Sequence, residues 1–232
     1  MPPICENIND INQRIKRACE KSARNPEDVQ LIAISKTKPL DDIKEAFNCG
    51  QLHFGENRAK ELQDKMDTYE NKDIQWHMVG NLQTNKIKYM VERVNWIHSI
   101  EKTKYLKEIE KRAGRIGRTI NTLIQVNISD EDQKSGCTPD EVQKILDYAR
   151  PLNHTNVRGL MGMATFTDDI DVVRDEFKLL KKLFDKHAET NEGSVQLEHL
   201  SMGMTDDMEV AIEEGSTMVR VGRAIFGERN YD

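Results

Sequence analysis

Between residues 31 and 227 this sequence alternates short apolar runs with longer amphipathic stretches, and that rhythm limits the possible folds more than any other feature. The apolar runs are LIAIS (31–35), LHFG (52–55), IQWHMVG (74–80), WIHSI (96–100), TLIQVNI (122–128), VRGLMGMA (157–164), LEHLSMG (197–203) and STMVRVGRAIFG (216–227). Several lack clean two-residue alternation, as befits parallel strands covered on both faces. The stretches between them carry helix signals. Leu40, Ile43, Ala46 and Phe47 form a stripe that stops at Gly50, a residue suited to the left-handed turn after a helix. Thr138-Pro139-Asp140-Glu141 reads as a capping box with proline at the first helical position. Ile170, Val173, Phe177, Leu180 and Phe184 keep helical spacing. Thr205-Asp206-Asp207 places a cap and two carboxylates at the start of a helix that stops before Gly215.

Eight strand candidates separated by helices predict an α/β chain, a (β/α)8 TIM barrel formed as one domain over residues 1–232. An open doubly wound sheet has the same local pattern and stands as the alternative, because pattern alone does not report closure. A further helix pattern, from about Asn7 to Ala23, precedes the first strand and is expected to cover the barrel bottom.

Charge then narrows the partners. With 34 basic against 40 acidic residues the formal net charge is -6, which argues against a general nucleic-acid binder. The N-terminus lacks a basic segment followed by an apolar one, and no apolar run approaches bilayer-spanning length, so a cytoplasmic protein without a membrane contact is expected. Cys5, Cys19, Cys49 and Cys137 match no zinc spacing, and reduced thiols are the expected state.

A barrel places its chemistry at the C-terminal ends of the strands. The first strand ends in LIAISKTKP, where Lys36 shares a face with Ile32 and Ile34. Read alone, such a lysine sends its ammonium to water. Partly desolvated in a barrel mouth, it has a lowered pKa, and its neutral amine attacks an aldehyde. The last two strands supply an anion corner. Ser201 and Gly203 sit just before a predicted helix start, and Gly222 allows close backbone approach on the neighbouring strand. Arg220 shares a face with Gly222 and stands beside that corner. An aldehyde that also carries a phosphate uses both features, and pyridoxal 5′-phosphate is such a molecule. An arginine at its ring nitrogen keeps its own proton, which leaves a weak electron sink.

The stretches LIAISKTKP, HFGENRAKEL, WHMVGNLQTNK, LIQVNISDEDQKSG, RGLMGMATF, LSMGMTDDMEVAIEEGSTMVR and VGRAIFGER cover nearly the whole chain in order. In them the sequence resembles the pyridoxal phosphate homeostasis proteins. The resemblance implies a fold-type III pyridoxal phosphate barrel like the N-terminal domain of alanine racemase, with an internal aldimine on Lys36. It implies Arg220 as the ring-nitrogen partner. Ser201, Gly203, Gly222 and the backbone of Arg223 are implied as the phosphate cup, with Asn57 as a nearby polar contact. The family usually carries Ser or Thr where this chain has Arg223. Its guanidinium either replaces the lost hydroxyl or points outward, and the sequence leaves both open.

The family is associated with intracellular vitamin B6 balance rather than with an established catalytic activity. The implied role is to hold pyridoxal 5′-phosphate as a Schiff base on Lys36 and to deliver or buffer it, with apo forms of pyridoxal phosphate enzymes as recipients. A low-activity amino-acid racemase using the same lysine is the alternative, but racemisation needs a second acid/base. The chain ends five residues after the VGRAIFG strand, where alanine racemase continues into a further domain that supplies a tyrosine. His77 and Tyr231 are the remaining candidates here, and His77 reads first as a core histidine. A phosphate-binding isomerase with a merely electrostatic Lys36 is the third reading. No catalytic residue and no metal ligand is assigned, and a monomer is expected.

Overall fold

The computed structural model describes residues 3–129 and 135–228. Gln30–Ile34 (β1), His53–Glu56 (β2), Gln75–Met78 (β3), Trp96–Ile100 (β4), Ile120–Gln125 (β5), Thr155–Met161 (β6), Val195–Ser201 (β7) and Met218–Val221 (β8) close in that order into a barrel. Every neighbouring pair is parallel, and β1 joins β8 from Gln30↔Met218 to Ala33↔Val221. That last ladder excludes the open sheet. It also puts Ile32 opposite Arg220, so the first and last strands present their site residues side by side.

The helices are Ile4–Lys21 (α1), Leu40–Asn48 (α2), Ala59–Thr68 (α3), Thr103–Arg115 (α4), Val142–Ala149 (α5), Ile170–Ala188 (α6), Met208–Glu213 (α7) and Arg223–Phe226 (α8). Two apolar layers result. Inside the barrel, Ile32, Leu123, Met161 and Met218 pack together, with Ile34, Trp96 and Met163 against them. The larger layer lies between strands and helices, where Phe54, Ile43, Leu62 and Phe177 are fully buried. At about 25 cal/mol per Å² of apolar surface removed from water, this outer layer supplies most of the drive for folding.

Several local expectations shift. α1 packs beside α2, α7 and α8 instead of covering the barrel bottom. The reason is that α8 is a single turn, which leaves the groove beside β8 and β1 uncovered. Ile8, Ile11, Ile15 and Ala18 recur at helical spacing and fill it. Asn7 donates to Ile225 O at 2.8 Å and Arg14 to Thr205 O at 2.8 Å, which fastens the helix there. The ends of α1 and α2 thereby come together, and Cys5 forms a disulfide with Cys49, against the expectation of reduced thiols. Their Cα atoms are 5.4 Å apart, a proximity that spacing over 44 residues does not reveal. Cys19 and Cys137 are buried free thiols.

The capping box at Thr138 forms, with Thr138 N donating to Glu141 Oε2 at 2.9 Å, and opens a short 3-10 turn before α5. α7 starts later than Thr205-Asp206-Asp207 suggests, because Asp207 Oδ1 accepts from Met204 N and holds that segment as a loop. In α6, Val173, Phe177 and Leu180 are buried, but Ile170 is 59% exposed at the mouth of a cavity. Among the described residues no helix is long and apolar enough to cross a membrane.

Candidate functional site

β1 delivers Ile34 and then Lys36 to the C-terminal end of the barrel, where both line a cavity of about 690 Å³. Arg220 and Gly222 from β8, with Arg223, line the same space. Six of the seven predicted positions are on strands β1, β7 and β8 or just after them, and Asn57 follows β2. Asn57, Ser201 and Gly203 do not line the cavity. Asn57 is half-buried in the loop after β2, its backbone so close to Gly80 that a Cβ there would meet Asn57 O at 2.2 Å.

Ser201 lies underneath Arg220. Arg220 Nη1 donates to Ser201 Oγ at 2.6 Å, and Nη2 donates to Gly162 O at 3.0 Å. The guanidinium is 5% exposed, and among the described residues no carboxylate forms an ion pair with it. Burial lowers its pKa to about 10, which still leaves it protonated at neutral pH. A desolvated cation in a cavity wall, with Asp207 acting on it but not ion-paired to it, favours an electron-rich or anionic ligand.

Below Ser201 runs a hydrogen-bonded chain that the sequence reading did not anticipate. His98 Nδ1 is 3.0 Å from Ser201 Oγ, His77 Nδ1 is 2.9 Å from His98 Nε2, and His53 Nδ1 is 3.0 Å from His77 Nε2. Burial, reinforced by neighbouring rings at His77 and by the Arg220 charge at His98, holds both well below the usual histidine range, and His53 falls to about 4. All three are neutral at physiological pH. His77 also stacks parallel to Trp96 at 5.8 Å between ring centroids. It is a core histidine in the barrel interior and is absent from the cavity wall. Tyr231 lies outside the described residues.

The two glycines have steric reasons. Gly203 takes φ +92°, and a Cβ there would sit 2.6 Å from Ala211 Cβ. Its carbonyl accepts from Arg220 N at 3.0 Å, tying the loop after β7 to β8. At Gly222 a Cβ would come within 3.1 Å of Ile34 O, so this residue lets β8 approach the strand that carries Lys36. Arg223 turns outward: Nη2 contacts both oxygens of Asp206, at 3.0 and 2.7 Å. Both side chains are more than half exposed, and the pair bridges the loops after β7 and β8.

Behind Lys36 a second set of residues escaped the sequence reading. Lys65, Glu56, Glu61 and Ser35 share hydrogen bonds around the turn that carries it. The available sequence signal was Glu61 four residues before Lys65, a common surface pairing. Among the described residues no group of histidine, cysteine, aspartate and glutamate is arranged to hold a metal ion.

The residues fit a phosphorylated aldehyde. A lysine amine and a buried arginine line one cavity, and the glycines beside them leave backbone where a side chain would block close approach. Comparison with known proteins agrees. The family model described as "Alanine racemase, N-terminal domain" matches residues 7–230. The chain is 40% identical over 227 residues to the pyridoxal phosphate homeostasis protein of Aquifex aeolicus, covering 98% of this chain and 99% of that one. A crystal structure of a protein from Bifidobacterium adolescentis superposes with TM-score 0.91 at 34% identity, over 97% of this chain and 94% of that one. PipY of Synechococcus elongatus with PLP bound superposes with TM-score 0.80 at 31% identity, over 92% of this chain and 100% of PipY.

Proposed function

Because the chain belongs to the pyridoxal phosphate homeostasis protein family, which has the alanine racemase N-terminal fold, we propose that it binds pyridoxal 5′-phosphate at Lys36. In this reading residues 1–232 act as one unit, a cytoplasmic monomer that buffers the cofactor or delivers it to apo enzymes. The observation that carries it is the presence of Lys36 and the buried Arg220 on one cavity wall.

When bound, the cofactor would supply an aldehyde for the Lys36 amine, with water lost as the Schiff base forms. The chain's own residues do the rest. Arg220 is the donor toward the ring nitrogen, and it keeps its proton because its pKa stays near 10. Backbone N–H groups at Gly222 and Arg223 form the phosphate cup, while Gly203 and Asn57, set back from the cavity wall, support the loops around it. Ser201 serves from below by orienting Arg220. Arg223 contributes its backbone N–H, since its guanidinium is taken up by Asp206.

Racemisation is the weaker reading. It needs a second proton carrier at the cofactor. His77 is neutral, buried and engaged on both ring nitrogens. Absorbance and borohydride reduction test the proposal: the loaded protein is yellow and gains a pyridoxyl mass on Lys36, and Lys36→Ala gains none. Delivery is tested by mixing the loaded protein with an apo pyridoxal phosphate enzyme. Activation faster than cofactor release into solution supports delivery, whereas activation at the release rate reduces the role to buffering.

A further inference from the structure

The peptide groups on both sides of Lys36 are tied to one buried ammonium. Lys65, on α3, is 8% exposed, and its Nζ donates to Ser35 O at 2.8 Å, Glu56 Oε1 at 2.7 Å and Glu61 Oε1 at 2.8 Å. These three bonds use all its protons. The two carboxylates then reach the turn from either side. Ser35 Oγ donates to Glu56 Oε1 at 2.6 Å, and Thr37 N donates to Glu61 Oε1 at 2.6 Å. Ser35 O also accepts from Lys38 N at 3.1 Å, closing a tight turn with Lys36 inside it.

That turn does not hold its shape for local reasons alone. Thr37 has φ +63°, a left-handed conformation that a β-branched residue rarely adopts. Its N–H bond to Glu61 compensates the strain, and Glu61 stands where it does because Lys65 holds it. Glu56 is fully buried, and its Oε2 has no partner among the described residues. Lys65 is the only cation bonded to it there, so removing that ammonium strands the carboxylate.

We propose that Lys65 is a positioning residue for Lys36: acting through Glu56 and Glu61, it fixes the Ser35–Thr37 backbone so that the Lys36 amine points into the cavity. The proposal rests on the reading of Lys36 as the cofactor's attachment point. A lysine side chain has four carbons of freedom, and attack needs the amine within about 3–3.5 Å of the aldehyde carbon. Fixing the backbone at its root removes most of that freedom before the ligand arrives. Lys65 touches no ligand itself. It sets how much of the bound cofactor is covalently attached.

The test separates binding from attachment. Wild type, Lys65→Met, Lys65→Arg and Glu61→Gln are brought to equal bound pyridoxal 5′-phosphate, measured by filtration. Each receives the same borohydride treatment, and the pyridoxyl mass on the Lys36 peptide is quantified. Lys65→Met is expected to show at least a fivefold lower covalent fraction, with Lys65→Arg within twofold of wild type because a guanidinium restores the donors. Glu61→Gln, which keeps the Glu56–Lys65 pair but loses the Glu61–Lys65 ion pair and weakens the hold on Thr37, is expected to fall between them. It serves as the working variant if Lys65→Met does not fold. An unchanged covalent fraction in Lys65→Met, or in Glu61→Gln where only that variant folds, overturns the positioning role and leaves Lys36 as the attachment point. Absence of any Lys36 adduct in wild type overturns the attachment reading itself, and this proposal with it.

Discussion

Arg220 donates to Ser201 Oγ at 2.6 Å, and this bond between β8 and β7 joins the arginine to a line of hydrogen bonds through the barrel. An arginine donates and never accepts. Ser201 Oγ keeps a second lone pair and its own hydrogen, so it meets His98 Nδ1 as either acceptor or donor. His98 Nε2 pairs with His77 Nδ1, and His77 Nε2 pairs with His53 Nδ1. Each link between rings needs one donor and one acceptor, so the three neutral histidines share one tautomer. The polar spine keeps Arg220 oriented without a carboxylate, which would neutralise the charge that the cavity presents.

Ser201→Ala cuts the spine at its junction. It leaves Arg220 Nη1 and His98 Nδ1 buried without this partner, and an unmade buried hydrogen bond costs about 1–3 kcal/mol. A drop of that size in unfolding free energy is expected by urea denaturation. Cofactor absorbance should also shift, because Arg220 gains freedom. A variant as stable as wild type, with an unchanged spectrum, would contradict the spine's role.

The neutral histidines make an acid-sensitive core. His77 and His98 have folded pKa values far below 6.5, so the unfolded chain takes up protons that the folded one refuses. Their contribution to stability is present above pH 6.5 and is lost as pH falls below it, by up to about 1.4 kcal/mol per histidine per pH unit. Glu56 carries the opposite sign. Burial raises its pKa from 4.5 to about 7, so its contribution falls as pH rises between those values. The clean measurement is stability against pH in a Glu56→Gln background, where loss should set in below pH 6.5. His98→Gln added to that background should flatten the slope, and an unchanged slope would mean that His98 charges in the folded state.

The barrel was legible because parallel strands and their helices write different periods into the chain, as LIAIS and the Val173–Phe177–Leu180 stripe do. Lys36, Arg220 and Gly222 were legible because a strand's alternation and its C-terminal end together fix a place in a barrel. What stayed hidden depends on contact between distant segments. Nothing local marks His98 as a neighbour of Ser201, 103 residues later. Lys65 reads as one half of a surface pair, and only the closure of β1 beside β2 buries it under Lys36. The disulfide between Cys5 and Cys49 and the placement of α1 were missed for the same reason.

Gly203→Ala tests the corner where β7 turns toward the cavity. At φ +92° an alanine is strained, and its Cβ would meet Ala211 Cβ at 2.6 Å. The left-handed conformation alone costs about 1–2 kcal/mol, and the clash adds to it. The expected outcome is a loss of at least about 2 kcal/mol in urea, with weaker pyridoxal 5′-phosphate binding as α7 is pushed away. Retention of both stability and affinity would show that the loop relaxes freely.

In the proposed phosphate cup, Asp206 competes with the phosphate for Arg223. Their ion pair is exposed on both sides, and pairs of that kind contribute about 0–1 kcal/mol, so little holds the guanidinium outward. Asp206→Asn removes the competitor together with a negative charge beside the cup. Pyridoxal 5′-phosphate should therefore bind about two- to fivefold more tightly, which is roughly 0.4–1 kcal/mol in binding free energy. Arg223→Ser acts in the other direction, because it leaves Asp206 unpaired and facing an anion. Combining it with Asp206→Asn should bring affinity back toward wild type, since the two substitutions share one interaction. Absorbance titrations of the four proteins decide the matter. If Asp206→Asn weakens binding instead, Asp206 is holding the loop after β7 in shape, and its effect on charge is secondary.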